Sequence, residues 1–127
     1  MEYKEIRAPG FVIEGGGGYD RELALASVGA GWATLINRVF DEREKLAIIS
    51  PIVQVKEKYG GLRIYTGIYE VELESLIQQV EVESYHICET CGEPGVLHKN
   101  NSGWYFTACD LHSHGAEPIP EEDDNDA

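Results

Sequence analysis

Residues 52–66 read IVQVKEKYGGLRIYT, and this stretch decides the fold. Two arms rich in β-branched and aromatic residues flank Gly60 and Gly61, and such a pair of glycines is a strong signal for a two-residue β-hairpin. A turn centred on the glycines would place Tyr59 opposite Leu62 and Lys58 opposite Arg63. The stretch therefore predicts an antiparallel hairpin with this register.

The predicted hairpin has one apolar and one polar face, because successive side chains of a strand point to opposite sides. The apolar face is predicted to enter the core and carries Val53, Val55, Tyr59, Leu62 and Ile64. The polar face carries Gln54, Lys56, Lys58, Arg63 and Tyr65. Three of the ten lysines and arginines of the chain are thus concentrated on one small ribbon.

Apolar residues at helical spacing predict one helix on each side of the hairpin. The first helix, over about 32–46, rests on Trp32, Leu35, Ile36, Val39 and Phe40. The second, over about 70–84, rests on Leu73, Leu76, Ile77 and Val80. Upstream, Asp20 has the side chain of an N-cap for a shorter helical stretch. The predicted fold class is α+β, with two helices packed on the hairpin and Trp32 over its apolar face.

Residues 88–112 read CETCGEPGVLHKNNSGWYFTACDLH and carry the strongest chemical motif. Cys88 and Cys91 form one pair of metal-ligand type, and Cys109 and His112 form a second pair with the same spacing. Two such pairs at this separation are typical of a zinc site, because each tight turn directs two ligands at one ion. The segment between them must fold back, and it carries two strand-like stretches joined by NNSG. We predict a zinc-stapled hairpin, with His98 on its surface.

Four ligands close a tetrahedral site, which favours a structural zinc ion, one per chain. Three alternatives stay open at this point. The site would be catalytic if one ligand position were free for water, and the cysteines would be free or redox-active thiols if no metal bound. His114, two residues beyond His112, is an alternative fourth ligand. The odd number of cysteines argues against a disulfide framework.

The chain is predicted to have three parts. Residues 1–86 form the α+β domain, with a loosely ordered segment over 1–19 in which four consecutive glycines act as a flexible connector. Residues 87–114 form the zinc-binding hairpin. Residues 115–127 form a disordered acidic tail, since 117–127 hold six acids and no base and cannot bury enough apolar surface to offset the entropy of ordering.

Composition excludes several function classes. The chain has 127 residues and a net charge of −13, so it should repel nucleic acids and anionic membranes unless its basic residues cluster. No stretch is apolar enough to span a membrane or to serve as a secretory signal. The sequence also lacks the G-x-S-x-G, H-E-x-x-H and H-x-E…P-C-x-x-C motifs of known enzyme classes. The sequence therefore favours a non-enzymatic protein, and an enzyme stays open as an alternative.

The hairpin motif VKEKYGGLRIY and the motif CETCGEPG…GWYFTACDLH together resemble a group of small phage and prophage proteins. The helix start at Gly31 and Trp32 is similar as well, and the resemblance covers roughly residues 29–112. It implies zinc at Cys88, Cys91, Cys109 and His112 and a location in the bacterial cytoplasm. It implies no reaction.

Three functional hypotheses follow. The first is an acidic zinc protein that binds a host protein and so inhibits host defence or nucleic-acid machinery. The second is a binder, or sponge, of a small anionic ligand such as a nucleotide on the face formed by Lys56, Lys58, Arg63 and Tyr65. The third is a nucleic-acid-binding zinc module, which is disfavoured because 88–112 contain a single lysine and phosphate contacts supply most of such affinity. Exposed aromatic residues would allow a homodimer, but no sequence pattern fixes one.

Overall fold

The computed structural model describes residues 18–120 and shows an α+β fold with three α-helices and two small antiparallel sheets. The helices are α1 (Arg21–Ala26), α2 (Ala33–Lys45) and α3 (Val71–Ser84). The first sheet pairs β1 (Ile52–Lys58) with β2 (Gly61–Thr66). The second contains β3 (Val96–Lys99), β4 (Tyr105–Ala108) and β5 (Glu117–Pro118), in the order β4-β3-β5. None of the helices within 18–120 is long and apolar enough to cross a membrane.

The structure confirms the helices that were predicted from the spacing of apolar residues. Both predicted helices are present, and α2 is preceded by a short 3-10 helix over Ala30–Trp32. The third helix, α1, begins behind Asp20, whose carboxylate accepts the backbone N–H of Leu23 at 2.8 Å and so satisfies one free donor of the first turn. The predicted loose segment extends too far, because Tyr19 is buried and its N–H donates to the carbonyl of Ile52. The rest of that segment, 1–17, lies outside the described residues.

The predicted hairpin is present, but its register is wrong by two residues. Lys58 lies opposite Gly61, and Glu57 lies opposite Leu62. The central turn residues are Tyr59 and Gly60, with φ of 54° and 87°, as a type I′ turn requires. The carboxylate of Glu57 accepts the N–H of Gly60 at 2.7 Å and holds this turn. Tyr59 therefore lies in the turn and not opposite Leu62.

A shift of two residues preserves the two faces of the hairpin. Val55, Leu62 and Ile64 are buried, as predicted. Two members of the predicted apolar face are not: Tyr59 is 65% exposed in the turn, and Val53 is half-buried. The register shifts between residues 52 and 54, and a bulge of this kind places one extra residue on a strand. Ile52 is thereby directed into the core in place of Val53.

Side chains of α3 cover the outer edge of β2. The N–H of Leu62 donates to Ser84 Oγ at 2.9 Å, and the N–H of Ile64 donates to a carboxylate oxygen of Glu81 at 2.9 Å. An exposed edge of this kind would otherwise invite pairing with another chain. One hydrophobic core lies beneath the sheet and contains side chains of both strands and of the helices. Its largest fully buried members are Trp32, Leu35, Ile36, Ile52, Leu62 and Leu73.

The turn of the first hairpin contacts the second sheet, and the segment that leads into this sheet contacts the start of α2. Trp32 is fully buried, and its indole N–H donates to the carbonyl of Ile87 at 2.9 Å. A Cβ added at Gly60 would meet Leu97 and the backbone of Phe106. The turn of the first hairpin is therefore pressed against β3 and β4, and this contact leaves no room for a side chain.

Two expectations about the C-terminal third are wrong. The predicted disordered tail begins too early, because β5 pairs with β3 through His98 and Lys99; residues 121–127 lie outside the described part. His98 is not a surface residue. It is 4% exposed, stacks on Phe106 with ring centroids 5.5 Å apart, and contacts the carbonyl of Val96 through Nδ1 at 2.8 Å. The β5 strand adds a third strand beside it, which the tail's acidity did not indicate.

Candidate metal centre and the adjoining groove

The four predicted ligands come together at one point. One ligand atom from each of Cys88, Cys91, Cys109 and His112 lies within 4.8 Å of the other three. The Sγ atoms of Cys91 and Cys109 are 3.7 Å apart, and Nδ1 of His112 lies 3.2 Å from Sγ of Cys109 and 3.6 Å from Sγ of Cys88. The sequence motif thus corresponds to a real cluster, and His114 is not part of it.

These separations fit a tetrahedral zinc ion. With Zn–S bonds of about 2.3 Å and Zn–N bonds of about 2.0–2.1 Å, two sulfurs of a tetrahedron lie about 3.8 Å apart, and a sulfur and a nitrogen lie about 3.6 Å apart. The separations of 3.7 and 3.6 Å agree with these edges, and 3.2 Å is slightly shorter. Three thiolates and one imidazole are also a donor set that zinc prefers. The residues present fit the metal.

Two tight turns position the ligands. After the first pair, Gly92 takes a φ of 86°, and its N–H donates to the carbonyl of Cys88 at 2.9 Å. The second pair lies on a 3-10 helix over Asp110–His112. Cys109 is the N-cap of this helix, and the N–H of His112, its last residue, donates to the carbonyl of Cys109 at 3.1 Å. Because β4 ends at Ala108, Cys109 follows the strand directly. The cluster therefore fastens the end of β4 to the Cys88 turn.

The Cys88 turn is itself docked on the start of α2. The N–H of Gly31 donates to the carbonyl of Glu89 at 2.8 Å. A Cβ at Gly31 would lie 2.7 Å from the nitrogen of Gly92 and would also meet the carbonyl of Cys88. Such distances are too short for any side chain, so only glycine allows this approach. Gly31 is therefore required for the Cys88 turn to dock on the start of α2.

The environment of the sulfurs favours metal binding. Burial acts to raise the pKa of the Cys88 thiol, but hydrogen bonds from the backbone N–H groups of Cys109, Cys91 and Thr90 outweigh it and lower that pKa to about 6. The pKa of Cys91 is raised: the N–H of Glu93 acts to lower it, but burial and the neighbouring sulfurs of Cys109 and Cys88 together raise it by more. A second thiolate beside the first is thus costly without a cation between them, and zinc deprotonates coordinating thiols.

A cluster with four protein ligands leaves no position for a substrate or a water molecule. Cys88 is fully buried, Cys109 and His112 are half-buried, and Cys91 is exposed. Sites of this kind hold a fold together, whereas catalytic zinc keeps an open position. When bound, a metal ion here would join two turns that are 17 residues apart in the sequence.

Glu89 is a functional residue of this region that the sequence did not reveal. Its carboxylate accepts the N–H of Thr107 at 2.8 Å and so ties the first turn to β4. The pKa of Glu89 is raised to about 7, chiefly by burial; the Thr107 hydrogen bond acts to lower it, and the charges of Glu57 and Cys88 act to raise it. The first turn is thus joined to β4 through a carboxyl group whose pKa lies well above its ordinary value.

The residues of the predicted ligand-binding face of the hairpin contact different neighbours. The guanidinium of Arg63 donates to the hydroxyl of Tyr85 at 2.9 Å and turns towards the end of α3. The ammonium of Lys56 lies 5.7 Å from the ring centroid of Tyr65. Lys58 instead leans over Tyr59, with its ammonium 5.7 Å from that ring centroid. The four residues therefore do not converge on one point, although none of them is displaced from the predicted face.

The two lysines border a groove between the first hairpin and the turn that joins β3 to β4. The groove has a volume of about 520 Å³. Its lining includes Lys56, Glu57, Lys58, Tyr59, Trp104 and Tyr105. The sequence does not indicate the aromatic half of this site, because the predicted register places Tyr59 in the core and the contact between the two turns has no signal in the sequence.

The chain has no match among models of protein families, curated proteins or solved structures.

Proposed function

We propose that the chain is a non-enzymatic binding protein that holds an anionic ligand in the groove between its two hairpins. A structural zinc ion at Cys88, Cys91, Cys109 and His112 would fix the second hairpin and, with it, one wall of the groove. The observation that carries this proposal is the position of the groove. One wall is the turn of the first hairpin, and the other leads through β4 directly to Cys109.

The number of ligands is the reason why the proposal gives the metal no catalytic role. The cluster uses all four tetrahedral positions for side chains of the protein, so its metal would supply no activated water. Zinc in such a site contributes to folding, because the ligands are not organised before the chain folds. In this proposal the metal ion has a structural role, and the groove beside it binds the ligand.

Native mass spectrometry of the full chain, purified untagged from a bacterial cytoplasm, tests both parts. We expect one zinc ion per chain and, in mild conditions, a further mass from a small anion that is lost at high salt. A folded chain with no metal would contradict the zinc assignment. Retention of zinc without any salt-sensitive ligand would support the metal site and contradict ligand binding in the groove.

A host protein is the second candidate partner, as the small size, the acidity and the resemblance to phage proteins together suggest. The observation that favours it is the exposure of Trp104 and Tyr59, at 69% and 65%, because tryptophan and tyrosine are the residue types that anchor protein interfaces. A pull-down from bacterial lysate with the wild type and with Trp104→Ala tests this candidate. A partner captured by both proteins equally would not use the groove, and Tyr69→Ala, which removes another exposed aromatic residue, is the matched control.

A further inference from the structure

Aromatic rings and ammonium groups from both hairpins lie in the groove and beside it. The rings of Tyr59 and Tyr105 meet edge to face, with centroids 6.3 Å apart. Lys58 lies over the first ring at 5.7 Å, and Lys99 lies over the second at 5.5 Å. Trp104, next to Tyr105, exposes most of its indole. The two hairpins thus assemble a surface in which flat aromatic faces alternate with positive charge.

The lysines of this region have no acidic partners within 18–120. Neither Lys56, Lys58 nor Lys99 has a carboxylate oxygen within 4.0 Å in this part of the chain. Arginines outside the groove behave differently: Arg21 pairs with Asp41 and Glu44, and Arg38 pairs with Glu83. In a chain with 23 acids and 10 lysines and arginines, three ammonium groups that contact rings and no carboxylate are available to an anion.

We propose that the groove binds a nucleotide, with its base stacked on Trp104 or Tyr59 and its phosphates held by Lys56 and Lys58. This proposal rests on the proposed function and names its ligand. A nucleotide joins a flat π-system to a phosphate, which is the combination that the groove offers. Bases stack on any exposed aromatic face, and lysine binds phosphate as a point charge.

Size and charge favour a single nucleotide over a long strand. A volume of about 520 Å³ lies within the range of about 300–1,000 Å³ that is usual for small-ligand sites. Binding of an extended nucleic acid depends on many neutralised phosphates, and three lysines supply few. Phosphates beyond the groove would face a chain with a net charge of −13, which repels them.

Calorimetric titration of the zinc-loaded full chain tests the proposal. The probes are AMP, ADP and GDP, a ten-nucleotide single strand, and an oligoglutamate peptide as an anion without a base. We expect a free nucleotide to bind, with an affinity that falls as salt rises. Trp104→Ala should weaken binding about 10-fold, since stacking on one aromatic residue is commonly worth that factor or more. Lys58→Ala should also weaken binding about 10-fold, because it removes a positive charge that holds the phosphates.

Matched variants separate the groove from general charge and exposure. Lys45→Ala removes an exposed lysine of α2, and Tyr69→Ala removes a tyrosine that is 72% exposed outside the groove; both should bind nucleotide as the wild type does. Binding by the strand alone would contradict the assignment of a single nucleotide. The proposal is also overturned if no free nucleotide binds below about 1 mM, if oligoglutamate binds equally well, or if the control variants lose as much. Zinc content, measured on every variant, keeps this outcome separate from a failure of the metal site.

Discussion

The hydroxyl of Thr107 donates a buried hydrogen bond of 2.8 Å to the carbonyl oxygen of Gly60. The two residues are 47 positions apart: Gly60 lies in the turn of the first hairpin, and Thr107 lies in β4, two residues before Cys109 of the candidate metal cluster. The bond therefore connects the motif KYGGLR to the cysteine motif.

Removal of this hydroxyl should destabilise the protein. Thr107→Val keeps the shape of the side chain but leaves the carbonyl of Gly60 buried without its partner. A buried polar group that loses its partner costs about 1–3 kcal/mol, and we expect this loss in the free energy of unfolding of the zinc-loaded protein by urea. Thr66→Val, which removes a hydroxyl bonded to Glu74 at the far end of β2, should cost less. Equal losses in the two variants would mean that the contact between hairpins contributes nothing special.

Substitution of Gly60 should be more costly than substitution of a comparable glycine. Gly60 and Gly103 have φ of 87° and 90°, so alanine is strained at either position, at a cost of about 1–2 kcal/mol. A Cβ at Gly103 would meet nothing within 4 Å, whereas one at Gly60 would collide with Leu97 and Phe106. Gly60→Ala should therefore lose a further 1–3 kcal/mol or so from overpacking. Thermal unfolding of both variants measures the difference, and identical melting temperatures would show that the turn is not docked.

The fourth metal ligand should be His112. Its Nδ1 lies 3.2 Å from Sγ of Cys109, and His114 lies outside the cluster. His112→Ala should lower zinc affinity by several orders of magnitude and unfold the second hairpin, because metal binding in such sites is worth on the order of 10 kcal/mol of folding free energy. His114→Ala should retain one zinc ion and the wild-type melting temperature. Competition with a chromogenic chelator gives both affinities, and the reverse result would reassign the ligand.

Glu81 should make stability depend on pH. Burial raises the pKa of its carboxyl above the ordinary value of 4.5, although the N–H of Ile64 acts to lower it. The folded chain therefore holds this proton more tightly than the unfolded chain. This contribution to the free energy of unfolding is complete below pH 4.5 and is lost as the pH rises through the folded-state pKa.

The variant Glu81→Gln keeps an acceptor for Ile64 but does not titrate. Urea unfolding at several pH values should show the wild type losing stability relative to this variant as the pH rises above about 4.5. Glu72→Gln, on the exposed face of the same helix, controls for the change in net charge. A constant difference between the wild type and Glu81→Gln at all pH values would contradict the assigned pKa shift.

Local patterns predicted more of this molecule than long-range contacts. The periodicity of Leu73, Leu76, Ile77 and Val80 was sufficient for α3, since an apolar stripe fixes the face that a helix buries. The spacing of the cysteines was sufficient for the ligand cluster. The hairpin register was not, because either Tyr59-Gly60 or Gly60-Gly61 is an acceptable turn, and the deciding contact comes from Glu57 within the folded turn.

The groove depended on a contact that no local pattern encodes. Tyr59 and Trp104 come from turns of two different hairpins, and their proximity follows from the docking of Gly60 on Phe106 and Thr107. Strand β5 is a similar case. Its two residues belong to an acidic, proline-containing segment, but β3 offers a free edge there, and the edge pairs with whatever chain lies beside it.

Hydrogen exchange, measured by mass spectrometry before and after zinc removal with a chelator, tests most directly whether one metal ion locks the two hairpins together. We expect one zinc ion per chain. On its removal, protection should be lost over 88–112 and also over 57–62, because the turn around Gly60 rests on β3 and β4. Unchanged exchange over 57–62, with loss confined to 88–112, would contradict the claim that the metal centre supports the groove.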